Sequence, residues 1–191
     1  MLKIVIADSY DQVSEEAFKI MRQVVEKENS VLGLATGSTP VGLYKKMIAD
    51  HKTNGTSYKN AITFNLDEYV GLPRNHKQSY YTFMHDNLFN EIDVPEENIH
   101  IPEAECVRYE SEMAKYVVDV QVLGIGSDGH IAFNEPGAAF DSLTHTMELT
   151  EQTRKDNARF FDGDIDQVPT LAITQGLGTI MRAKKIILIA T

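Results

Sequence analysis

Asp128, His130 and Glu135 are the side chains of this sequence whose types and spacing most directly suggest acid/base chemistry. They lie within eight residues of one another in a loop, residues 124–136, whose glycines let the backbone fold back on itself. A histidine flanked by two carboxylates has the composition of an oriented relay that passes protons. The same side chains could ligate a metal, but their spacing matches no common zinc motif, so we predict no metal here.

A second polar loop follows an apolar run and precedes an amphipathic stretch. Its residues are Thr36, Gly37, Ser38, Thr39 and Pro40. The glycine permits a tight turn, and the hydroxyls together with free N–H groups at a helix start can bind an anion such as phosphate. The loop is not a P-loop, because it lacks the Gly-Lys-Ser/Thr ending. An ordinary turn with a helix cap explains these five residues equally well.

Two adjacent carboxylates, Asp67 and Glu68, follow a third apolar run. A carboxylate at a strand end is well placed to act as a general base, and it is also well placed to cap a helix or to lie in a solvated loop. Taken alone, the pair is better explained by the structural roles.

The charge balance limits the kinds of partner. The 191 residues carry a net charge of -10, and no lysine or arginine cluster interrupts the acidic background, which argues against a nucleic acid. An anionic substrate would have to be held by a local nest of backbone N–H groups and one or two cations. The 42% hydrophobic content is enough for the core of one domain.

Cysteine usage and hydropathy indicate the compartment. Cys106 is the only cysteine, which excludes an internal disulfide and a cysteine-based zinc site. The N-terminal residues lack a signal-peptide pattern, and no apolar run approaches membrane-spanning length. We therefore predict a cytoplasmic protein with no membrane partner.

The elements that must position the loops alternate along the chain. Short runs rich in Val and Ile alternate with amphipathic stretches, which predicts an α/β fold with a mainly parallel sheet. Strands are predicted over residues 2–7, 31–35, 61–66, 118–124 and 185–190. Helices are predicted over residues 13–27, after residue 40, over 79–90, and near 150–157 and 176–183. Tyr80, Tyr81 and Phe83 are interpreted as helix packing. Since ligands bind beyond the carboxyl ends of such strands, we expect the polar loops to converge.

Taken together and in order, the loops resemble the glucosamine-6-phosphate deaminase family. The matching segments are residues 34–40, 64–73, 126–136, 157–161 and 168–169. The Asp-Glu-Tyr-Val-Gly-Leu and Asp-Gly-His-Ile-Ala-Phe-Asn-Glu-Pro motifs are the specific ones, and the likeness extends along the whole chain. It implies a modified Rossmann-like, three-layer sandwich formed by a single domain over residues 1–191. Because family members continue past Thr191, the usual C-terminal segment is expected to be missing.

The resemblance also implies the activity, conversion of glucosamine 6-phosphate to fructose 6-phosphate and ammonia in amino-sugar catabolism. His130 would move the proton between the anomeric hydroxyl and the ring oxygen, helped by Asp128 and Glu135. Asp67 would then remove the C2 proton of the open aldose. This chemistry requires neither a redox cofactor nor a metal.

The resemblance assigns substrate binding to the second loop and to one arginine. Thr36, Gly37, Ser38 and Thr39, with Arg159, would hold the phosphate or nearby sugar hydroxyls, a combination of backbone nest and guanidinium. The implied partner is a small-molecule sugar phosphate, and assembly into a homo-oligomer is compatible with the resemblance.

Two other functions fit parts of the sequence. A 6-phosphogluconolactonase would share the fold and a Gly-x-Asp-Gly-His loop, but the continuation through Glu135 favours the deaminase. A non-catalytic sugar-phosphate sensor would carry a DNA-binding helix-turn-helix, whereas this acidic chain starts in a predicted strand.

Overall fold

Two sheets, one parallel and one antiparallel, organise the molecule. The computed structural model describes residues 2–103, 105–126 and 128–191, so Ser127 of the third loop lies outside the described residues. The strands are β1 (Val31–Leu34), β2 (Ile62–Asn65), β3 (Asp67–Tyr69), β4 (Ile99–His100), β5 (Val120–Leu123), β6 (His145–Glu148), β7 (Leu171–Thr174) and β8 (Ile186–Leu188). The helices are α1 (Tyr10–Val25), α2 (Val41–Asn54), α3 (Tyr80–Asn87), α4 (Cys106–Met113), α5 (Glu151–Ala158) and α6 (Leu177–Ile180).

The larger sheet has five parallel strands in the order β4-β2-β1-β5-β8. Strands covered on both faces consist of nearly continuous apolar residues, and β1 and β5 are buried along their whole length. Alternate side chains of β1 enter different clusters. Leu32 and Leu34 face a core shared with α1, α2 and α3, whereas Val31 packs with Tyr109 and Met113 of α4. Helices therefore cover both faces, which confirms the predicted three-layer α/β fold.

Helix α1 illustrates how local sequence specifies these elements. Ser9 is its N-cap and accepts a hydrogen bond from the Gln12 N–H at 3.3 Å. Ala17, Met21 and Val25 recur every four residues and are buried, so one stripe of the helix faces the core. None of the helices in the described parts of the chain is long and apolar enough to cross a membrane.

The smaller sheet is antiparallel, in the order β3-β7-β6, and it was not predicted. Two of its strands, β3 and β6, are largely polar and lack the continuous apolar character of the parallel strands. Leu66 joins the two sheets, because its N–H donates to the Leu34 carbonyl at 3.1 Å and its own carbonyl accepts from the Gln175 N–H at 2.8 Å. The chain thus leaves the parallel sheet and enters the antiparallel one directly before Asp67.

The predicted first strand, residues 2–7, is wrong: this segment forms no strand in the structure. Ile4 is 76% exposed and Ile6 is 91% exposed. The apolar run satisfies the local pattern of a strand, but a strand also requires a neighbouring backbone to accept its hydrogen bonds. Helix α4 was not predicted; it has only eight residues, and Tyr109 and Met113 are the buried ones.

Candidate active site

The three polar loops converge on one cavity of about 460 Å³, as expected from the sequence. The cavity lies at the carboxyl ends of β1 and β5 and at the junction between β2 and β3. Adjacent parallel strands deliver their following loops to the same edge, which is where open α/β sheets bind ligands. The predicted residues that line it are Thr36, Gly37, Ser38, Thr39, Asp67, His130 and Arg159.

Asp67 enters this cavity as the first residue of β3. Its side chain is only 6% exposed. Burial, reinforced by the neighbouring charge of Glu68, raises the pKa of Asp67 to about 8. A carboxylate that is costly to ionise becomes a stronger base once its proton is lost, so Asp67 has the properties of a general base.

Glu68 points away from Asp67, because successive side chains of a strand alternate faces. Its carboxylate accepts three backbone N–H groups, from Tyr69 at 2.8 Å, Tyr80 at 3.0 Å and Tyr81 at 2.9 Å. Burial raises the pKa of Glu68, while these three hydrogen bonds act in the opposite direction. Of the two adjacent carboxylates, Glu68 thus anchors the start of α3 to β3, and Asp67 faces the cavity.

The third loop holds His130 against Asp128. The ring Nδ1 of His130 lies 2.7 Å from Oδ1 of Asp128, and the His130 backbone N–H donates to the same oxygen at 3.2 Å. The backbone hydrogen bond and the nearby imidazole lower the pKa of Asp128. An ionised Asp128 bound at Nδ1 leaves Nε2 as the nitrogen able to exchange a proton with a ligand.

Two backbone features shape this loop. A Cβ at Gly126 would lie 2.3 Å from Cε1 of His130, so the imidazole packs where any other residue would place a side chain. Ala132 has φ 54, a left-handed conformation that is unusual for a residue with a Cβ. The conformation is supported by hydrogen bonds between Ile131 and Asn134 on either side, and such strain is common at functional sites.

Glu135 completes the cluster. One carboxylate oxygen of Asp128, one carboxylate oxygen of Glu135 and one ring nitrogen of His130 all lie within 4.8 Å of one another. A carboxylate oxygen of Glu135 also accepts a hydrogen bond from the Thr153 hydroxyl at 2.6 Å. These separations would allow the three groups to share protons or to ligate a cation. The short hydrogen bond between Asp128 and His130 orients the imidazole, as proton transfer through the other ring nitrogen requires.

The loop at residues 36–39 offers unused N–H groups. None of the hydrogen bonds in the described residues has the backbone N–H of these four residues as donor. The Tyr10 hydroxyl supports the loop from behind, donating to the Ser38 carbonyl at 2.8 Å and accepting from the Gly42 N–H at 2.7 Å. All four residues line the cavity, and a turn with free N–H groups fits an anion such as phosphate.

Helix α5 forms another wall of the cavity. Arg159, at its C-terminal cap, is exposed and its guanidinium stacks over the Phe160 ring at 4.7 Å from the centroid. Asn157, in the last turn of the helix, donates to the Tyr69 hydroxyl at 2.9 Å. The helix therefore presents a cation to the cavity and is tied to the strand that carries Asp67.

Several cavity residues were missed or misjudged from the sequence. Thr153 carried no signal, because it lies within a polar helix that looks like an ordinary solvated element. Asn157 lies in the matching segment 157–161, but no role was assigned to it. Tyr80 and Phe83 were interpreted as helix packing, yet both line the cavity, whereas Tyr81 lies in a separate cleft beside Arg74. Asp128 and Glu135 do not line the cavity. Asp128 is hydrogen-bonded to His130 and Glu135 to Thr153, and these two partners do line it.

Comparison with known proteins shows the family to which the chain is similar. Residues 7–191 match the family model described as glucosamine-6-phosphate isomerases/6-phosphogluconolactonase. The glucosamine-6-phosphate deaminase of Lysinibacillus sphaericus is 50% identical over 198 residues, covering 99% of this chain and 83% of that protein. The deaminase of Mycoplasma mycoides subsp. mycoides is 50% identical over 196 residues, covering 100% of this chain and 80% of that protein.

Solved structures give the same grouping. A monomeric glucosamine-6-phosphate deaminase superposes with a TM-score of 0.95 at 43% identity, covering 98% of this chain and 81% of that chain. The 6-phosphogluconolactonase from Trypanosoma brucei has a TM-score of 0.78 at 20% identity, covering 100% of this chain and 82% of that chain. At that identity the lactonase shares the fold alone.

Proposed function

This chain belongs to the glucosamine-6-phosphate isomerase/6-phosphogluconolactonase family, and we propose how its cavity carries out the deaminase reaction. The protein is an enzyme that converts glucosamine 6-phosphate and water to fructose 6-phosphate and ammonia. The observation that carries the proposed mechanism is a buried, strongly basic Asp67 in the same cavity as the His130 imidazole. The reaction needs one group for each of two proton transfers, at a ring oxygen and at carbon.

Ring opening comes first in this mechanism. Nε2 of His130 takes the proton of the anomeric hydroxyl and returns it to the ring oxygen as the C1–O5 bond breaks. Asp128, hydrogen-bonded at Nδ1 at 2.7 Å, stabilises the imidazolium formed in between. Glu135 adds a second negative charge within reach of the same ring.

Isomerisation and deamination follow. Asp67 removes the C2 proton of the open aldose, which leaves an enolamine with a double bond between C1 and C2. Protonation at C1 produces a C2 iminium ion, water adds to C2, and ammonia leaves as the ketone forms. The raised pKa of Asp67, about 8, is suited to a carbon acid, because a carboxylate with the ordinary value would be a much weaker base.

The phosphate would be bound at residues 36–39 and Arg159. The unused N–H groups of this loop and the exposed guanidinium line the same cavity, and together they offer local positive potential in an acidic protein. Binding the phosphate at this wall leaves the sugar carbons free to reach Asp67 and His130.

Asp67 separates the deaminase mechanism from lactone hydrolysis, which removes no proton from carbon. In deuterated water, we expect the enzyme to place solvent deuterium at C1 of fructose 6-phosphate. Asp67→Asn should reduce ammonia release at least 10²-fold, because an amide cannot act as the base and general bases contribute about 10²–10⁴-fold. The measurements are NMR of the product and a coupled ammonia assay.

Near-normal ammonia release by Asp67→Asn would refute the assigned base. Hydrolysis of 6-phosphogluconolactone by the parent protein without action on glucosamine 6-phosphate would refute the activity itself. A cytoplasmic location and a homo-oligomer remain predictions. The single cysteine supports the first, and sedimentation velocity would test the second.

A further inference from the structure

Glu135 is held by a hydroxyl from a different element. Thr153, in the first turn of α5, is only 7% exposed and its Oγ1 lies 2.6 Å from Oε1 of Glu135. A carboxylate can only accept hydrogen bonds, so the hydroxyl proton of Thr153 points at Glu135. Hydrogen bonds to an ionised group are short and strong, which this distance reflects.

Thr150 fixes the orientation of that hydroxyl. Thr150 is the N-cap of α5, and its Oγ1 accepts from the Thr153 N–H at 3.1 Å. The two hydroxyl oxygens are 3.0 Å apart, and Thr150 Oγ1 is 3.3 Å from Oε1 of Glu135. The Thr150 hydroxyl can donate its one proton to the Thr153 oxygen or to Glu135, and in either case the helix cap supports the contact between Thr153 and Glu135.

The opposite end of α5 is anchored to the strand of the catalytic base. Asn157 donates to the Tyr69 hydroxyl at 2.9 Å, and Tyr69 follows Asp67 by two residues on β3. One helix therefore fixes the Glu135 carboxylate at its start and contacts the Asp67 strand near its end. This connection sets the position of the ring-opening groups relative to the base.

We propose that Thr153 is a positioning residue for the ring-opening step, holding one oxygen of Glu135 so that the carboxylate stays within reach of His130. The inference rests on the proposed function, since it assumes that Glu135 assists His130. Without the hydroxyl, the carboxylate is free to rotate away from the imidazole. Ring opening then slows, while removal of the C2 proton by Asp67 is unaffected.

Thr153→Val tests this proposal, because valine keeps the shape and loses only the hydroxyl. With glucosamine 6-phosphate we expect kcat to fall roughly 10-fold to 100-fold, the range for a lost hydrogen bond to a charged group, with little change in KM. An analogue without the C4 and C5 hydroxyls cannot close a ring, and its kcat should be nearly unchanged. Thr153→Ser should restore most of the activity.

Thr63→Val is the matched control. Thr63 is also buried, and its hydroxyl has no hydrogen-bond partner among the described residues. This variant should keep the parent kcat on both substrates, and urea unfolding should show that Thr153→Val remains folded. His130→Gln provides the positive reference for a selective loss on the cyclic substrate.

Three results would overturn the proposal: an unchanged kcat of Thr153→Val on the cyclic substrate, equal losses on both substrates, or no recovery with Thr153→Ser. Failure of the proposed function is distinguishable, because the parent enzyme would then release no ammonia from either substrate, or His130→Gln would slow both substrates equally.

Discussion

The burial of Asp67 predicts an unusual dependence of stability on pH. The unfolded chain loses this proton near pH 3.8, whereas the folded protein keeps it until about pH 8. Between these values the folded state binds one more proton than the unfolded state, so its stability falls as pH rises. Asp67→Asn removes the ionisation, and the variant should therefore gain stability relative to the parent as pH increases.

The magnitude follows from the displacement of the pKa. Each pH unit within the window is worth up to about 1.4 kcal/mol, so the rise from 3.8 to about 8 sets a ceiling of about 6 kcal/mol. Water entering the cavity and relaxation around the charge reduce such penalties substantially. We expect the stability advantage of Asp67→Asn to grow by about 3 kcal/mol between pH 5 and pH 9.

Urea unfolding of the parent and the variant at one-unit steps from pH 5 to pH 9 measures this difference directly. Comparing two proteins cancels the titration of the other acidic groups, apart from Glu68, whose repulsion with Asp67 acts in the same direction. Asp164→Asn is the matched control. Hydrogen bonds from the Gln167 side chain and the Asp166 N–H lower the pKa of Asp164, so its titration lies below this range and the control difference should be independent of pH.

A difference between Asp67→Asn and the parent that stays constant from pH 5 to pH 9 would refute the burial argument. It would mean that Asp67 is ionised at both ends of the range, and the case for an unusually basic carboxylate would be lost. A falling advantage at high pH would contradict the sign of the argument as well.

Two further predictions concern other walls of the cavity. Gly126→Ala places a Cβ 2.3 Å from the His130 ring, so it should displace the imidazole and lower kcat at least 10-fold; an unchanged kcat would show that the ring can move without consequence. Arg159→Ala should raise KM for glucosamine 6-phosphate roughly 10-fold to 100-fold with a smaller change in kcat, since a charge-assisted phosphate contact is lost. Lys155→Ala is the control, because Lys155 lies on the same helix but is paired with Glu151. An equal rise in KM for both variants would show that Arg159 contributes only to the overall charge and does not contact the phosphate.

Much of the fold could be predicted because its signals are local. The parallel strands are continuous apolar runs, and α1 and α2 place apolar residues at helical spacing. The three polar loops of the site could be located for a related reason, because each of them directly follows a recognisable apolar strand. Asp128, His130 and Glu135 are also close in sequence, so their association did not depend on knowing the fold.

The antiparallel sheet and the neighbours of the site depended on tertiary structure. Asp67–Tyr69 and His145–Glu148 become strands only because β7 lies between them, and neither segment carries a strand pattern of its own. Residues 2–7 show the converse, with a strand pattern but no strand. Backbone pairing is a long-range interaction, so short sequence windows carry little information about it.

The chemistry of the site divides in the same way. The sequence alone determined which residue types are available, and therefore that Asp67 could serve as a base and Glu135 as part of a relay. Only the folded structure decided that Asp67 rather than Glu68 faces the cavity, and that Thr153 reaches Glu135 across 18 positions. A pKa and a hydrogen bond depend on burial and on neighbours brought together by the fold, and neither is a property of the residue itself.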